Sequence, residues 1–129
     1  MNNQKGITLI GAIFVLIIVS LLGTYLVKIY SVQQKTSILA LQTARAYQTA
    51  NAGIEWGIAN IINNGNCIPS TTLTPTFDNF SVTVSCQQLG SYTENTKTKN
   101  VYLVTAKSEY SVYSNPDYIS RRMQTTIHD

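Results

Sequence analysis

Residues 7–27, "ITLIGAIFVLIIVSLLGTYLV", carry no charged side chain. A helix needs about 20 consecutive apolar residues to cross the hydrocarbon core of a bilayer, and this run reaches that length. A cleaved secretory signal has a shorter apolar region, about 7–15 residues, closed by a small-x-small cleavage site. Here Lys28-Ile29-Tyr30 stands where such a site would lie, so conventional removal is not expected. Tyr25, Lys28 and Tyr30 instead suit the membrane–water interface, with amphipathic rings and a snorkelling amine. Flanking charge gives no orientation: Lys5 precedes the run, while Lys28, Lys35 and Arg45 follow it. The remainder of the 129-residue chain allows one modest core and little more.

Nothing in the sequence stops the helix at Val27, since no proline occurs before Pro69. Tyr47, Ala50, Ile54, Ile58 and Ile61 recur at helical spacing and predict one apolar face over the second half, residues 28–63. Asn63-Asn64-Gly65-Asn66 is a C-terminal stop. Unbroken between Ile7 and Ile62, such a helix is about 84 Å long at ~1.5 Å per residue. Apolar all round in one half and one-sided in the other, it must meet two different surroundings.

Residues 64–129 change period. Phe80, Val82, Val84 and Cys86 alternate with Ser81, Thr83 and Ser85, which predicts a strand with one buried face. Residues 100–113, "NVYLVTAKSEYSVY", read as a second strand, Ser114-Asn115-Pro116-Asp117 as a turn, and residues 118–128 as a third strand. The expected architecture is α+β: a small antiparallel sheet of about three strands packed on the one-sided half of the helix, with Tyr47 and Trp56 in or beside the core. Gly53 and Gly57 form a GxxxG outside the apolar run, where close helix–sheet packing explains them better than dimerisation.

Only 12% of the residues are charged and the net charge is +3, which suits an exported or surface protein and points to no class of ligand. Cys67 and Cys86 follow the helix and end the first predicted strand. They fit a disulfide made outside the reducing cytosol, closing a loop whose entropy is worth roughly 3 kcal/mol. Free buried thiols and a metal site are the alternatives, although two cysteines with the lone His128 make no recognisable zinc set. No nucleophile elbow, zincin motif or phosphate-cradling glycine loop is present, and no cofactor or enzymatic activity is expected. Lys97, Lys99, Lys107, Arg121 and Arg122, with Tyr92, Tyr102 and Tyr118 near them in sequence, form a candidate basic patch for nucleic acid. Basic residues that discourage strand-edge pairing are the stronger explanation.

Two stretches carry a resemblance. "QKGITLIGAIF" resembles the leader and start of type IV pilins and pseudopilins: a short polar leader with a basic residue, a glycine, then the apolar run. "ARAYQTANAGIEWGIANI", residues 44–61, looks like the corresponding segment of minor pilins of the PilX-like group, and most like a biogenesis protein of the mannose-sensitive haemagglutinin (MSHA) pilus. The resemblance covers residues 1–62 and is looser beyond. It implies a leader of residues 1–6, cleavage by a prepilin peptidase between Gly6 and Ile7, and N-methylation of Ile7. It also implies a single pass through a bacterial inner membrane with the head in the periplasm, and later a place in a pilus at the cell surface. The implied partners are other major and minor pilins and the inner-membrane assembly platform.

Two positions depart from the family. Ile7 stands where Phe is common, and Gly11 replaces the glutamate that major pilins carry at the fifth mature position. That carboxylate is thought to meet a neighbour's terminal amine, and an acid near the bilayer centre costs about 2.5–3.5 kcal/mol on insertion scales. A subunit that starts the filament has no earlier partner to meet, so Gly11 fits a priming or tip position. Drift in an ordinary minor subunit, or a small residue for close helix packing, are the alternatives. Gly23 is either a point where the helix loosens in a filament or another small contact residue. The functional expectation is a minor pilin or pilin-like biogenesis protein. The alternatives are a type II secretion pseudopilin and a binding module permanently anchored by one helix.

Overall fold

The computed structural model describes residues 5–74 and 76–129. The expected leader, residues 1–6, lies outside the described residues apart from the backbone of Lys5 and Gly6, and Pro75 lies outside them too. One α-helix, α1, spans Lys5–Asn64. By packing, the chain divides into Met1–Ile38 and Leu39–Asp129.

In the first unit the described residues are helical throughout. Large apolar side chains of residues 7–27 are exposed on every side of the helix, Ile7 by 73% and Ile18 by 40%. Two polar side chains among them are folded back onto the helix. Ser20 Oγ donates to the Leu16 carbonyl at 2.7 Å, and Thr24 Oγ1 to the Leu21 carbonyl at 2.8 Å. Hydroxyls satisfied within the segment are what a hydrocarbon surrounding requires.

In the second unit, α1 ends where its stop signal predicts. Gly65 takes a φ of 64° and its N–H donates to the Ile61 carbonyl at 2.8 Å, a left-handed C-terminal cap. Four antiparallel strands follow: β1 (Thr71–Thr72), β2 (Ser81–Glu94), β3 (Lys97–Tyr110) and β4 (Ile119–His128), hydrogen-bonded in chain order. The arrangement is α+β with four strands rather than three. The additional strand, β1, is two residues long and shows no alternation that a sequence reading could detect. It pairs with Val84 and Thr83, and flanking bonds (Leu73 N–H to Val82 O, Cys86 N–H to Ile68 O, both 2.9 Å) zip the loop along the start of β2.

β2 and β3 also run further than their apolar alternation. From Gln87 to Glu94 the side chains of β2 are exposed, yet the ladder with β3 continues to Glu94 opposite Lys97. Asn95 and Thr96 close it with φ of 47° and 68°, the positive-φ pair that matches strand twist in a two-residue hairpin. A bulge between Gln88 and Gly90 reverses which residues of β2 share a face. β3 stops at Tyr110, earlier than expected, because Ser111 at φ 65° turns the chain out of the sheet.

The core lies between the helix and one face of the sheet. Ala46, Ala50, Ile54 and Ile61 meet Phe80, Val82, Val84, Tyr102, Val104, Ala106 and Ile119, all buried. Gly53 and Gly57 complete the helix stripe. A Cβ built on Gly53 would sit 2.7 Å from Val82 Cγ1, and one on Gly57 would sit 2.7 Å from Val104 Cγ1. The GxxxG is therefore a helix–sheet contact, as the sequence predicts. The expectation that Tyr47 lies in or beside the core is corrected, since it is 56% exposed. Ala46 takes the buried position against Phe80 and Ile119, and Tyr47, one residue on, is turned about 100° away from the sheet. Trp56, beside Gly57, is 39% exposed and stands at the core edge. The buried Ser108 hydroxyl is satisfied by Thr49 Oγ1 at 2.6 Å, a bond that pins helix to sheet.

Candidate functional site

Two features could carry function: the apolar helix of the first unit and the solvent face of the sheet in the second. On the helix, Ile7 is the first exposed apolar residue of the run and follows Gly6, the two residues of the expected cleavage. At Gly11 and Gly23 an added Cβ would meet nothing within 4 Å. Neither glycine is required by packing inside one chain, unlike Gly53 and Gly57.

Cys67 and Cys86 are joined by a disulfide with Cα atoms 5.2 Å apart. Of the three alternatives open at the sequence level, the bonded pair is the one formed. Both cysteines pack against the core, so the bond ties the segment carrying β1 to β2. Among the described residues no group of three His, Cys, Asp or Glu gathers as a metal set. His128 instead meets Tyr92 edge-on, with ring centroids 6.4 Å apart.

The five basic residues do not form one patch. β3 keeps an uninterrupted period of two, so Lys97, Lys99 and Lys107 share the face turned away from the helix, and Arg122 joins them as the register partner of Lys107. Eight residues separate Lys99 from Lys107, about 27 Å at ~3.4 Å per residue. Arg121 pairs with Ser108, whose side chain faces the helix, and so belongs to the opposite face. Lys97 stands opposite Glu94 and Lys99 opposite Tyr92 at the far end of the hairpin. The expected basic patch thus resolves into two lysines at the hairpin tip, a Lys107–Arg122 pair, and Arg121 alone.

Around Lys107 the face is organised. Its Nζ lies 2.7 Å from Glu109 Oε1, and the Tyr118 hydroxyl donates to the same oxygen. The hydrogen bond with Glu109 raises the Lys107 pKa above its ordinary 10.5. Reciprocally, Lys107 and then Tyr118 hold the Glu109 carboxyl below its ordinary 4.5. At the C-terminus, the backbone N–H of Asn100 and then its side-chain amide lower the Asp129 carboxyl from 3.8. Sequence reasoning missed the Lys107–Glu109–Tyr118 cluster. The spacing of Lys107 and Glu109 on one strand face was a legible signal, but the approach of Tyr118 depends on the turn into β4.

No family model matches the chain, no curated protein matches it, and no solved structure matches it.

Proposed function

We propose that the chain is a minor pilin or pilin-like biogenesis protein, used in priming, assembly or the tip of a type IV, MSHA-like pilus. The observation that carries this reading is residues 7–27 of α1: charge-free, exposed on all sides, with the Ser20 and Thr24 hydroxyls bonded back to the helix's own backbone. Such a surface is stable only among lipid tails or other apolar helices, since water would have to solvate every leucine and isoleucine on it. A single helix that leaves lipid for the company of similar helices meets this condition at both stages. The same helix then supplies Ala46, Ala50, Gly53, Ile54, Gly57 and Ile61 to the head's core, which couples the head to the apolar rod through one continuous element.

The leader resemblance at residues 4–14 and the segment 44–61 support the filament reading over a permanent anchor. Gly11 supports a starting position in it. In this reading a prepilin peptidase cuts after Gly6, Ile7 is methylated, and the inner-membrane assembly platform hands the subunit to its neighbours. The test is fractionation: sheared filaments should contain the protein at low abundance, and its deletion should reduce piliation. Recovery only in membranes, with piliation intact and secretion through a type II system impaired, would move the assignment to a pseudopilin.

A further inference from the structure

The solvent face of the sheet carries a polar groove on which the proposed function does not rest. By register, Thr83, Lys107 and Arg122 form one row across β2, β3 and β4, and Ser85, Thr105 and Gln124 form the next. These six line a groove of about 460 Å³, with Glu109 at its side. That volume lies within the usual range of small-molecule sites, about 300–1,000 Å³. The lining is hydroxyl, amide and charge: Gln124 Nε2 donates to Thr105 Oγ1 at 3.1 Å, and Thr72 and Thr83 hydroxyls stand 3.5 Å apart at the rim.

The charges are unevenly satisfied. Lys107 is held by Glu109, which also accepts from Tyr118. Among the described residues Arg122 has no ion pair or hydrogen-bond partner, and it stands directly across from Lys107. Glu109 is attracted to both cations, but one carboxylate against two cations in a cross-strand pair leaves part of their repulsion in place. A bound anion would remove that repulsion and occupy the fork of guanidinium donors that the protein leaves empty.

We propose that this groove binds a carboxylate-bearing saccharide, its carboxylate on Arg122 and its hydroxyls on the Ser, Thr and Gln row. Lys107 and Arg122 against Glu109 leave one net positive charge, which matches a monoanion. A dianionic phosphate exceeds that charge and would be repelled more strongly by the Glu109 carboxylate than a monoanion. The neutral lining of Thr83, Ser85, Thr105 and Gln124 offers hydroxyl and amide groups that both donate and accept, which suits the hydroxyls of a sugar ring. Because the groove is an open sheet face without an aromatic ring among its lining residues, binding is weak and charge-dependent. The inference is independent of whether the chain enters a filament.

The test is ligand-observed saturation-transfer NMR on the full chain in detergent micelles, with glucuronate, glucose and inorganic phosphate as probes. Glucuronate should bind saturably, and Arg122→Gln should weaken it about tenfold, the size of one charge-assisted hydrogen-bonded contact. Arg121→Gln, one residue away on the helix-side face, should leave binding unchanged. Glucose should bind at least about tenfold more weakly than glucuronate. Arg122 is exposed, so its variant should keep the wild-type circular dichroism and thermal midpoint. Equal binding of glucose, equal losses in the two arginine variants, phosphate binding as tightly as glucuronate, or no saturable binding would each overturn the proposal.

Discussion

At the scale of single residues, glycine has opposite meanings in the two halves of one helix. Gly53 and Gly57 are held by contact: a methyl group at either would lie 2.7 Å from a valine methyl, and at Gly53 also 3.1 Å from Ala106 Cβ. Gly53→Ala and Gly57→Ala should therefore destabilise the full chain in urea melts. Overpacking costs about 1–3 kcal/mol, only partly offset by the ~1 kcal/mol that alanine gains in helix propensity. Gly23→Ala, with open space around it, should show the propensity gain without the loss. A different residue-scale effect belongs to Glu109. Its folded pKa is depressed below 4.5, so its stabilising contribution is present above that value and disappears as pH falls through the depressed one. Lys107, raised above 10.5, contributes below that value and loses its contribution as pH rises past the raised one. The gap in urea midpoint between the wild type and Glu109→Gln should be open at about pH 7 and should narrow as the pH falls below 4.5 and through the depressed value. Asp129 titrates in the same acid range but is common to both proteins, so it cancels in the comparison. A gap unchanged at low pH would show that Glu109 acts through packing rather than charge.

At the scale of elements, the disulfide loop is where local sequence and structure part company. The alternation of Phe80, Val82, Val84 and Cys86 made the start of β2 legible, because one face of that stretch is buried. The end of β2 was not legible, because its side chains from Gln87 onward are exposed and only backbone pairing with β3 maintains it. β1 is illegible for a related reason: two residues paired with Val84 and Thr83, flanked by the Leu73–Val82 and Cys86–Ile68 bonds, owe their conformation to the partner strand and the Cys67–Cys86 bond. Replacing both cysteines by serine should lower stability by about 3 kcal/mol, the loop-entropy value for a closed segment of this size. Amide exchange of Leu73 should accelerate more than that of Val104 in the centre of β3, since β1 loses its tether while the β2–β3–β4 ladder remains. Equal acceleration at both would mean that the bond supports the whole head. The small-residue stripe is half legible: helical spacing finds Ala50, Ile54 and Ile61, but it selects Tyr47 over Ala46, because positions three and four before Ala50 fit the period equally well.

At the scale of the whole molecule, the order of the chain is the argument. An apolar helix comes first, its continuation becomes one wall of the head's core, and a four-stranded meander supplies the other. The helix was legible in nearly every respect, from its charge-free run to its Gly65 cap, because period, caps and length all report on local backbone physics. The basic residues were not, since membership of a face depends on register: adjacent Arg121 and Arg122 fall on opposite sides of the sheet, while Lys107 and Arg122, distant in sequence, are neighbours. The central claim is that this helix enters lipid as part of a precursor and leaves it as a trimmed subunit. Intact-mass spectrometry of the protein purified from the membranes of piliated cells tests that claim most directly. The account predicts a mass equal to residues 7–129 with one added methyl group and one disulfide. A mass that retains Met1 and the residues through Gly6 would contradict it.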